Sequence, residues 1–385
     1  MNKRIIGYDA KRIVRNGTGL GSYGRTLIND LAPLMPNTEL LLYAPDAGRD
    51  DLRNQVERRE NVHFCYPDHL HFRLQRDLWR MKGIVKDLQR DGVELYHGLS
   101  GELPQGLSAA GIPGVVTIHD LIFLRHPEFY QPIDVFFYKR KFYKTLREAT
   151  RIIAISECTK RDILYYGDFP EDRIDLVYQS CGTRFSQPVP QDKLQEARMK
   201  YQLPQRYVLN VGTVEARKNI LLGIQAIAKL PSELHLVIVG RQTKYQKQLD
   251  AAIRKLGLTD RVHFLQGVPN DLLPAIYSQA EAFIYPSRYE GFGVPIIEAI
   301  QSGLPVVAVT GSCLEEAGGP DCLYIGPDDA DGAAAALLSA IENRTEMVGK
   351  SRQYVKRFEN QDVASQVIKS YERVGKATKG YLSSG

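Results

Sequence analysis

The stretch AFIYPSRYEGFGVPIIEAIQSG, residues 282–303, carries two carboxylates whose placement suits chemistry, Glu290 and Glu298. β-type residues from Ala282 to Tyr285 meet a Pro-Ser turn, then a loop with Gly291 and Gly293, then Pro295 and a helix-like run that stops at Gly303. Pro295 suits the first turn of a helix, where its missing N–H has no partner to lose, and Gly303 suits the end. Glu290 therefore lies in the loop and Glu298 about one turn into the helix, so they cannot be a surface pair one turn apart. They mark different depths of a strand-to-helix crevice. In an open α/β sheet ligands bind in that crevice, and the helix N-terminus favours an anion. The plain alternative is a loop acid that favours the helix N-terminus and a helix acid that faces solvent.

Residues 212–219, GTVEARKN, join a strand-like to a helix-like segment, with Arg217 and Lys218 where the helix begins and Asn219 suited to its N-cap. Cations there oppose the helix dipole, so their placement points to a bound anion; arginine offers phosphate a planar fork and lysine a compact charge. A solvated pair on a loop is the simpler reading of the same residues. His119 and Asp120 end a strand-like run earlier in the chain, and His97 ends another. A strand-end histidine either handles protons or supports the fold, and His-Asp pairs are also metal-ligand material. No second such pair or DxD-type acidic cluster is placed to complete a metal site, which favours a metal-free cleft. Gly19, Gly21 and Gly24 spell G-x-G-x-x-G, with Asp46 further on as a nicotinamide-dinucleotide fingerprint requires. That fingerprint needs its glycines in the first tight turn after the strand, whereas about ten residues intervene. A flexible glycine loop whose N–H groups approach a phosphate is the better account.

The elements that must position these groups alternate along the chain. Strand-like runs at 4–9, 38–45, 62–67, 94–98, 114–120, 151–156 and 173–179 are separated mostly by helical periodicity. A polar, proline-bearing break lies between about Phe185 and Pro204. A second alternation follows, with strands at 206–212, 234–239, 261–266, 282–285, 305–309 and near 322–325, and three helical segments close the chain. Such alternation predicts an α/β protein of two Rossmann-like, doubly wound parallel-sheet domains, 1–186 and 187–360, facing each other across a cleft.

Length and composition agree with this division. A chain of 385 residues is too long for one ordinary core and fits two of roughly 150–200 residues. Hydrophobic residues at 43% and charged residues at 25% are those of a soluble globular protein. No apolar run nears the ~18 residues of a membrane span, and MNKRIIGYDA reads as a strand rather than a signal peptide, so a cytoplasmic protein is expected. The 5 scattered cysteines lack metal-site spacing and read as reduced thiols. A net charge of +5 fits an anionic ligand or membrane surface better than nucleic acid. Two basic, aromatic-laced segments, 72–90 with Trp79 and 136–151, each suit a helix that could lie on an anionic membrane, although packed amphipathic helices look the same.

Taken as a set, EGFGVPIIEA with its E-x7-E spacing, the SGLPVV after it, GTVEARKN, TIHD, ISECTKRDI and TGLGSYGRTL resemble the retaining glycosyltransferases of family 4, which have the GT-B fold. The resemblance runs in the family's order from about residue 5 to 330. It implies transfer of a hexose, mannose by preference, from a nucleotide diphosphate sugar to a glycan or lipid-linked hydroxyl. It also implies no metal or other cofactor, and cell-surface polysaccharide assembly at the inner face of the cell membrane. Residue by residue, Glu298 would hold ribose hydroxyls and Glu290 would face the donor sugar, with the backbone of Phe292, Gly293 and Val294 beside that sugar. Lys218 with Arg217 would neutralise the diphosphate, the Gly19 to Gly21 loop would close on it from the other domain, and His119 would stand at the reaction centre. A helix in 361–385 would cross back to the first domain. Two positions depart from the family pattern. Thr213 stands where many members have a phosphate-binding arginine, leaving Arg217 or Arg241 to replace it, and Ser180-Cys181-Gly182 replaces a usual Asn-Gly. A nucleotide-sugar epimerase on the same fold, an NAD-dependent dehydrogenase and a non-catalytic sugar-nucleotide binder remain the competing classes.

Overall fold

The computed structural model describes residues 3–68, 72–179, 183–358 and 360–382. Ser180, Cys181 and Gly182 lie outside them. The chain divides into two compact units, Met1–Gln179 with Asn360–Gly385, and Ser180–Glu359.

The first unit holds seven strands: β1 (Arg4–Asp9), β2 (Thr38–Tyr43), β3 (Val62–Cys65), β4 (Leu95–Gly98), β5 (Gly114–Ile118), β6 (Ala149–Ala154) and β7 (Ile174–Leu176). Their order is β3-β2-β1-β4-β5-β6-β7, and the pairs are parallel. A parallel sheet is covered on both faces, so its strands are apolar throughout, and successive side chains go to opposite faces. Leu95, Val115 and Ile153 accordingly pack with Leu27, Ile28 and Leu31 of the helix Gly19–Leu34. Tyr96, Val116 and Ile152, their chain neighbours, pack on the other side with Trp79, Leu88 and Phe142.

The second unit holds β8 (Arg206–Val211), β9 (Leu234–Val239), β10 (Val262–Leu265), β11 (Ala282–Tyr285), β12 (Val306–Val309) and β13 (Leu323–Ile325), in the order β10-β9-β8-β11-β12-β13. Leu222 and Ala226 of the helix Ile220–Ile227 and Leu337 of the helix Ala330–Glu342 close over Val208, Ile238 and Ile284. Both units are thus doubly wound α/β layers, as the alternation predicted.

The last helix, Asn360–Leu382, belongs to the first unit, where Val363, Ala364, Val367, Tyr371 and Val374 are buried in its core. Tyr371 is hydrogen-bonded to His97 Nδ1 at 2.7 Å, and the Nε2 of that ring meets Thr117 Oγ1 at 2.8 Å. Arg151 makes a two-pronged pair with Asp175, both contacts at 2.8 Å, and Arg373 of the last helix also reaches Asp175. The Arg373 side chain is 58% exposed, and exposed pairs contribute only about 0–1 kcal/mol. Burial of a valine contributes about 1.5–3 kcal/mol, so the apolar face, not the ion pair, attaches this helix.

Three local expectations change. The glycine-rich segment is not a flexible loop: Lys11–Arg15 is a short helix, and Gly19 and Gly21 open the helix Gly19–Leu34. Packing explains two of the three glycines. A Cβ at Gly21 would lie 1.8 Å from the Asn16 carbonyl oxygen, and one at Gly24 would lie 2.8 Å from Ile13 Cγ1, so the helix can approach its neighbour only over bare backbone. Asp46, the supposed ribose ligand of a dinucleotide, is paired with Arg15 and with Arg76 at 2.7 Å. The segment 72–90 is helical from Arg73 to Arg90, as expected, but not regular. A π turn at Trp79–Gly83 interrupts it and lets Trp79 bury its ring while Nε1 donates to Asp87 Oδ2 at 2.6 Å. Finally, Phe185, read above as the end of the first domain, packs edge-on against Tyr277 at 5.3 Å in the second unit.

The glycines give a direct test. Gly21→Ala should lower the stability of the first unit by about 3 kcal/mol, the upper range for overpacking, while Gly19→Ala, whose Cβ would meet nothing within 4 Å, should change it little. Urea unfolding followed by circular dichroism measures both, and equal effects would refute the packing account.

Candidate active site

In each sheet the strand order reverses beside the first strand of the unit, between β1 and β4 and between β8 and β11. Loops leaving the carboxyl ends of two such strands run to opposite faces and leave a crevice, the usual ligand position of open α/β sheets. Arg217, Lys218 and Glu290 fall at the second of these places, and Gly19 and Gly21 follow β1 at the first.

In the second unit the loop after β8 carries Arg217 and Lys218 in a 3₁₀ turn, and the loop after β11 carries Glu290. The side chain of Glu290 is 11% exposed. Its Oε1 accepts from Lys218 Nζ and Ser287 Oγ, each at 2.5 Å, and its Oε2 faces Arg217 Nη1 at 2.9 Å. Burial alone would push the Glu290 carboxyl up, but the charges of Lys218 and Arg217 outweigh it and hold the group down to about 2. Arg217 also donates to Glu215 at 2.7 Å and to the Tyr289 carbonyl at 2.6 Å. Lys218 donates to Tyr285 Oη at 2.9 Å. The cations placed against a helix dipole thus have an anion of the protein's own beside them. Asn219, suited to the N-cap, occupies that position, but its side chain donates to the Pro327 carbonyl at 2.8 Å rather than capping the helix.

The loop is fixed on both sides. Gly293 adopts φ +116°, and a Cβ there would stand 3.0 Å from Leu314 Cδ2, so the turn into the helix Val294–Gln301 requires glycine. The buried Cys313 thiol points at the carbonyls of Glu290 and Phe292, at 3.1 and 2.9 Å. Glu298 has different surroundings. It accepts from Tyr277 Oη at 2.9 Å, and burial pushes its carboxyl up; no cation among the described residues forms an ion pair with it. Thr213 is half-buried, and Arg241, on the loop after β9, is exposed.

In the first unit His119 follows β5 and is buried. Its Nε2 lies 2.8 Å from the Leu99 carbonyl, which can only accept, so Nε2 carries the proton and Nδ1 receives the Gln179 amide at 2.8 Å. Burial pushes the ring down to about 4, which leaves it neutral at physiological pH. Tyr23 packs edge-on against it at 4.8 Å. His119, Asp120 and Arg12 line one cavity of about 240 Å³. His97 is further inside, tied to Tyr371 and Thr117 as described.

The structure therefore gathers Glu290, Arg217 and Lys218 into one cluster, with Phe292, Gly293 and Val294 leading from it into the helix that bears Glu298. His119, Gly19 and Gly21 belong to the first unit. Sequence reading missed Tyr285, Ser287, Tyr277, Cys313 and Gln179, which hold the carboxylates, the loop and the imidazole. Ser287 could have been suspected from its place in the Glu290 loop; the others are far away in sequence or of unremarked type.

Among the described residues no three or more His, Cys, Asp or Glu side chains are grouped as a metal set, and no helix is long and apolar enough to cross a membrane. A model of the glycosyl transferases group 1 matches residues 194–372, and one of glycosyltransferase family 4 matches residues 19–180. The chain is 29% identical over 375 residues to O-antigen chain mannosyltransferase B of Escherichia coli, covering 92% of this chain and 96% of that one. It is 28% identical over 260 residues to the serotype-specific mannosyltransferase WbdA of Escherichia coli, covering 65% of this chain but only 32% of that protein. In fold it is similar to a glycosyltransferase from Rickettsia africae, with a TM-score of 0.77 at 16% identity over 98% of this chain and 100% of that one. It is also similar in fold to Alr3699/HepE of Anabaena, solved with UDP and glucose, with a TM-score of 0.74 at 18% identity over 96% of this chain and 100% of that one. With one model matching each unit, the chain belongs to the group 1, family 4 glycosyltransferases and has their GT-B fold.

Proposed function

We propose that this glycosyltransferase moves mannose from a nucleotide diphosphate sugar to a hydroxyl of a glycan or lipid-linked acceptor, with retention, in the assembly of a cell-surface polysaccharide. The observation that carries the reading is the pair of cations held on Glu290 at the β8/β11 switch point, with the buried Glu298 in the helix beyond. Similarity to an O-antigen mannosyltransferase over nearly the whole of both chains supports the hexose and the pathway class.

In this reading the bond between the anomeric carbon and the diphosphate oxygen breaks while the acceptor oxygen bonds to the same carbon. Negative charge builds on the diphosphate, where Lys218 and Arg217 stabilise it. Positive charge builds on the sugar ring, where Glu290 stabilises it. The acceptor's proton passes to the leaving phosphate oxygen, and a nucleoside diphosphate departs. Glu298 receives ribose hydroxyls, a role that suits a buried carboxyl with Tyr277 as its side-chain partner. Arg217 is the cation that stands in for the arginine absent at Thr213. His119 stands beside the sugar as a neutral imidazole, its ring fixed by Leu99 and Gln179. Helix Pro132–Glu148 adds a membrane-facing element: Ile133 and Phe136 are 60% and 57% exposed beside Lys139, Arg140 and Arg147, a composition that attracts an anionic membrane surface.

Incubation with a donor panel and mannoside acceptors should give transfer from one donor that a chelator leaves intact. Lys218→Ala should lower turnover by about 10²–10³-fold, and Glu298→Gln should weaken donor binding by about tenfold. Wild-type values in both variants would end the site assignment. The pH profile follows from the two shifted groups. Glu290 stays charged above about 2 and His119 stays neutral above about 4, so turnover should be flat from about pH 8 to 5.5. A falling acid limb centred near the ordinary histidine value of about 6.5 would contradict the buried, neutral ring. Sedimentation with phosphatidylglycerol vesicles should be salt-sensitive and weakened by Ile133→Ser with Phe136→Ser; binding equal to that of neutral vesicles would remove the membrane element.

A further inference from the structure

A buried chain of hydrogen bonds in the first unit ends against His119. It starts on the last helix, where the Tyr371 hydroxyl meets His97 Nδ1 at 2.7 Å. His97 Nε2 meets Thr117 Oγ1 at 2.8 Å, and Thr117 Oγ1 meets the Tyr23 hydroxyl at 3.1 Å. The Tyr23 ring then packs on the His119 imidazole at 4.8 Å, its plane turned by 86°. His97, Thr117 and Tyr371 are fully buried. Tyr23 is half-buried and sits in the first turns of the helix Gly19–Leu34.

The plain account is that the chain fastens the last helix. That helix is already attached by Val363, Ala364, Val367 and Val374. Apolar groups of the same shape in place of His97, Thr117 and Tyr371 would hold it as well, because burying polar groups carries a cost that their hydrogen bonds mainly offset. What apolar groups could not do is hold a hydroxyl. Tyr23, with part of its surface in solvent, has an outward position open to it, and its bond to Thr117 draws the ring inward onto His119.

The links of the chain are not independent. Burial pushes the His97 ring down to about 3 and so keeps it neutral, with one N–H and one lone pair. If Tyr371 donates to Nδ1, Nε2 carries the proton and gives it to Thr117. If Tyr371 accepts, Nε2 takes the Thr117 proton, and Thr117 can then only accept from Tyr23. The orientation of the Tyr23 hydroxyl is thus linked to that of Tyr371.

We infer that His97 and Tyr371 are positioning residues for His119: through Thr117 they hold Tyr23 against the imidazole, so that the last helix helps set the geometry of the reaction centre. This rests on the reading of His119 as the residue beside the sugar, and one of its two tests requires no turnover.

The first test is a double-substitution cycle in the full-length protein. Tyr23→Phe and Tyr371→Phe each remove one hydroxyl and keep the ring. Each should lower kcat by about tenfold, the worth of one hydrogen bond, with little change in KM for the donor. The two combined should lower it no further than either alone. Val363→Ala, which thins the apolar attachment of the same helix two turns from Tyr371, should lower Tm and leave kcat unchanged. The second test reads the ring ¹⁵N and ¹H signals of His119, assigned by their loss in His119→Gln. They should move in Tyr371→Phe and stay in place in Val363→Ala. Additive losses of kcat, or His119 signals that do not respond to Tyr371→Phe, would overturn the inference. If the signals move as expected while no donor supports transfer, the positioning chain stands and the transferase reading of the site falls.

Discussion

One buried carboxylate, Glu290, ties together the two loops that leave the sheet of the second unit in opposite directions. The loop after β8 supplies both cations and the loop after β11 supplies the anion. Removing one partner from a buried ionic cluster of this kind costs about 3–5 kcal/mol, a large part of the net stability of about 5–15 kcal/mol that a protein has. The cluster therefore keeps the switch-point crevice in shape before any ligand arrives. It also fixes what Glu290 can do: a carboxylate held near 2 by two cations is a poor proton acceptor at neutral pH, but it is a durable negative charge.

Three titratable groups of the same chain are held in three different surroundings. Glu290 is buried with cations and stays charged. Glu298 is buried with a phenol, and burial pushes its carboxyl up. His119 is buried between a carbonyl and an amide and is kept uncharged. Residue type alone would have assigned the two glutamates the same behaviour; it is the partners, brought from other loops by the fold, that separate them.

Much of the architecture was legible in the sequence because parallel strands buried on both faces write long apolar runs, and these were found within a few residues of their ends. The Glu290 to Glu298 segment was legible for a local reason: its strand, turn, glycine and proline signals all lie within one short stretch. What escaped was set by tertiary contact. Nothing in the order of residues says that Gly21 and Gly24 are bare because one helix presses on another, so their spacing imitated a phosphate loop. The π turn at Trp79 depends on a hydrogen bond to Asp87 that helical periodicity does not reveal. Gln179 and Cys313 reach His119 and the Glu290 loop from distant segments, and neither type is a signal by itself.

The last helix completes a core whose other parts come from the first half of the chain. Val363, Val367 and Tyr371 share the layer of the helix Gly19–Leu34 and β6, and the whole second unit is encoded between them and those elements. During synthesis, which proceeds from the N-terminus at about 5–20 residues per second, the first sheet must wait with one face only partly covered, by the helix Gly19–Leu34, until the ribosome has finished the second unit. The second unit has no such delay, since all its strands are contiguous in the chain. The half made first is then the half that matures last, and the apolar face it exposes meanwhile is the part of this protein with most reason to need a chaperone.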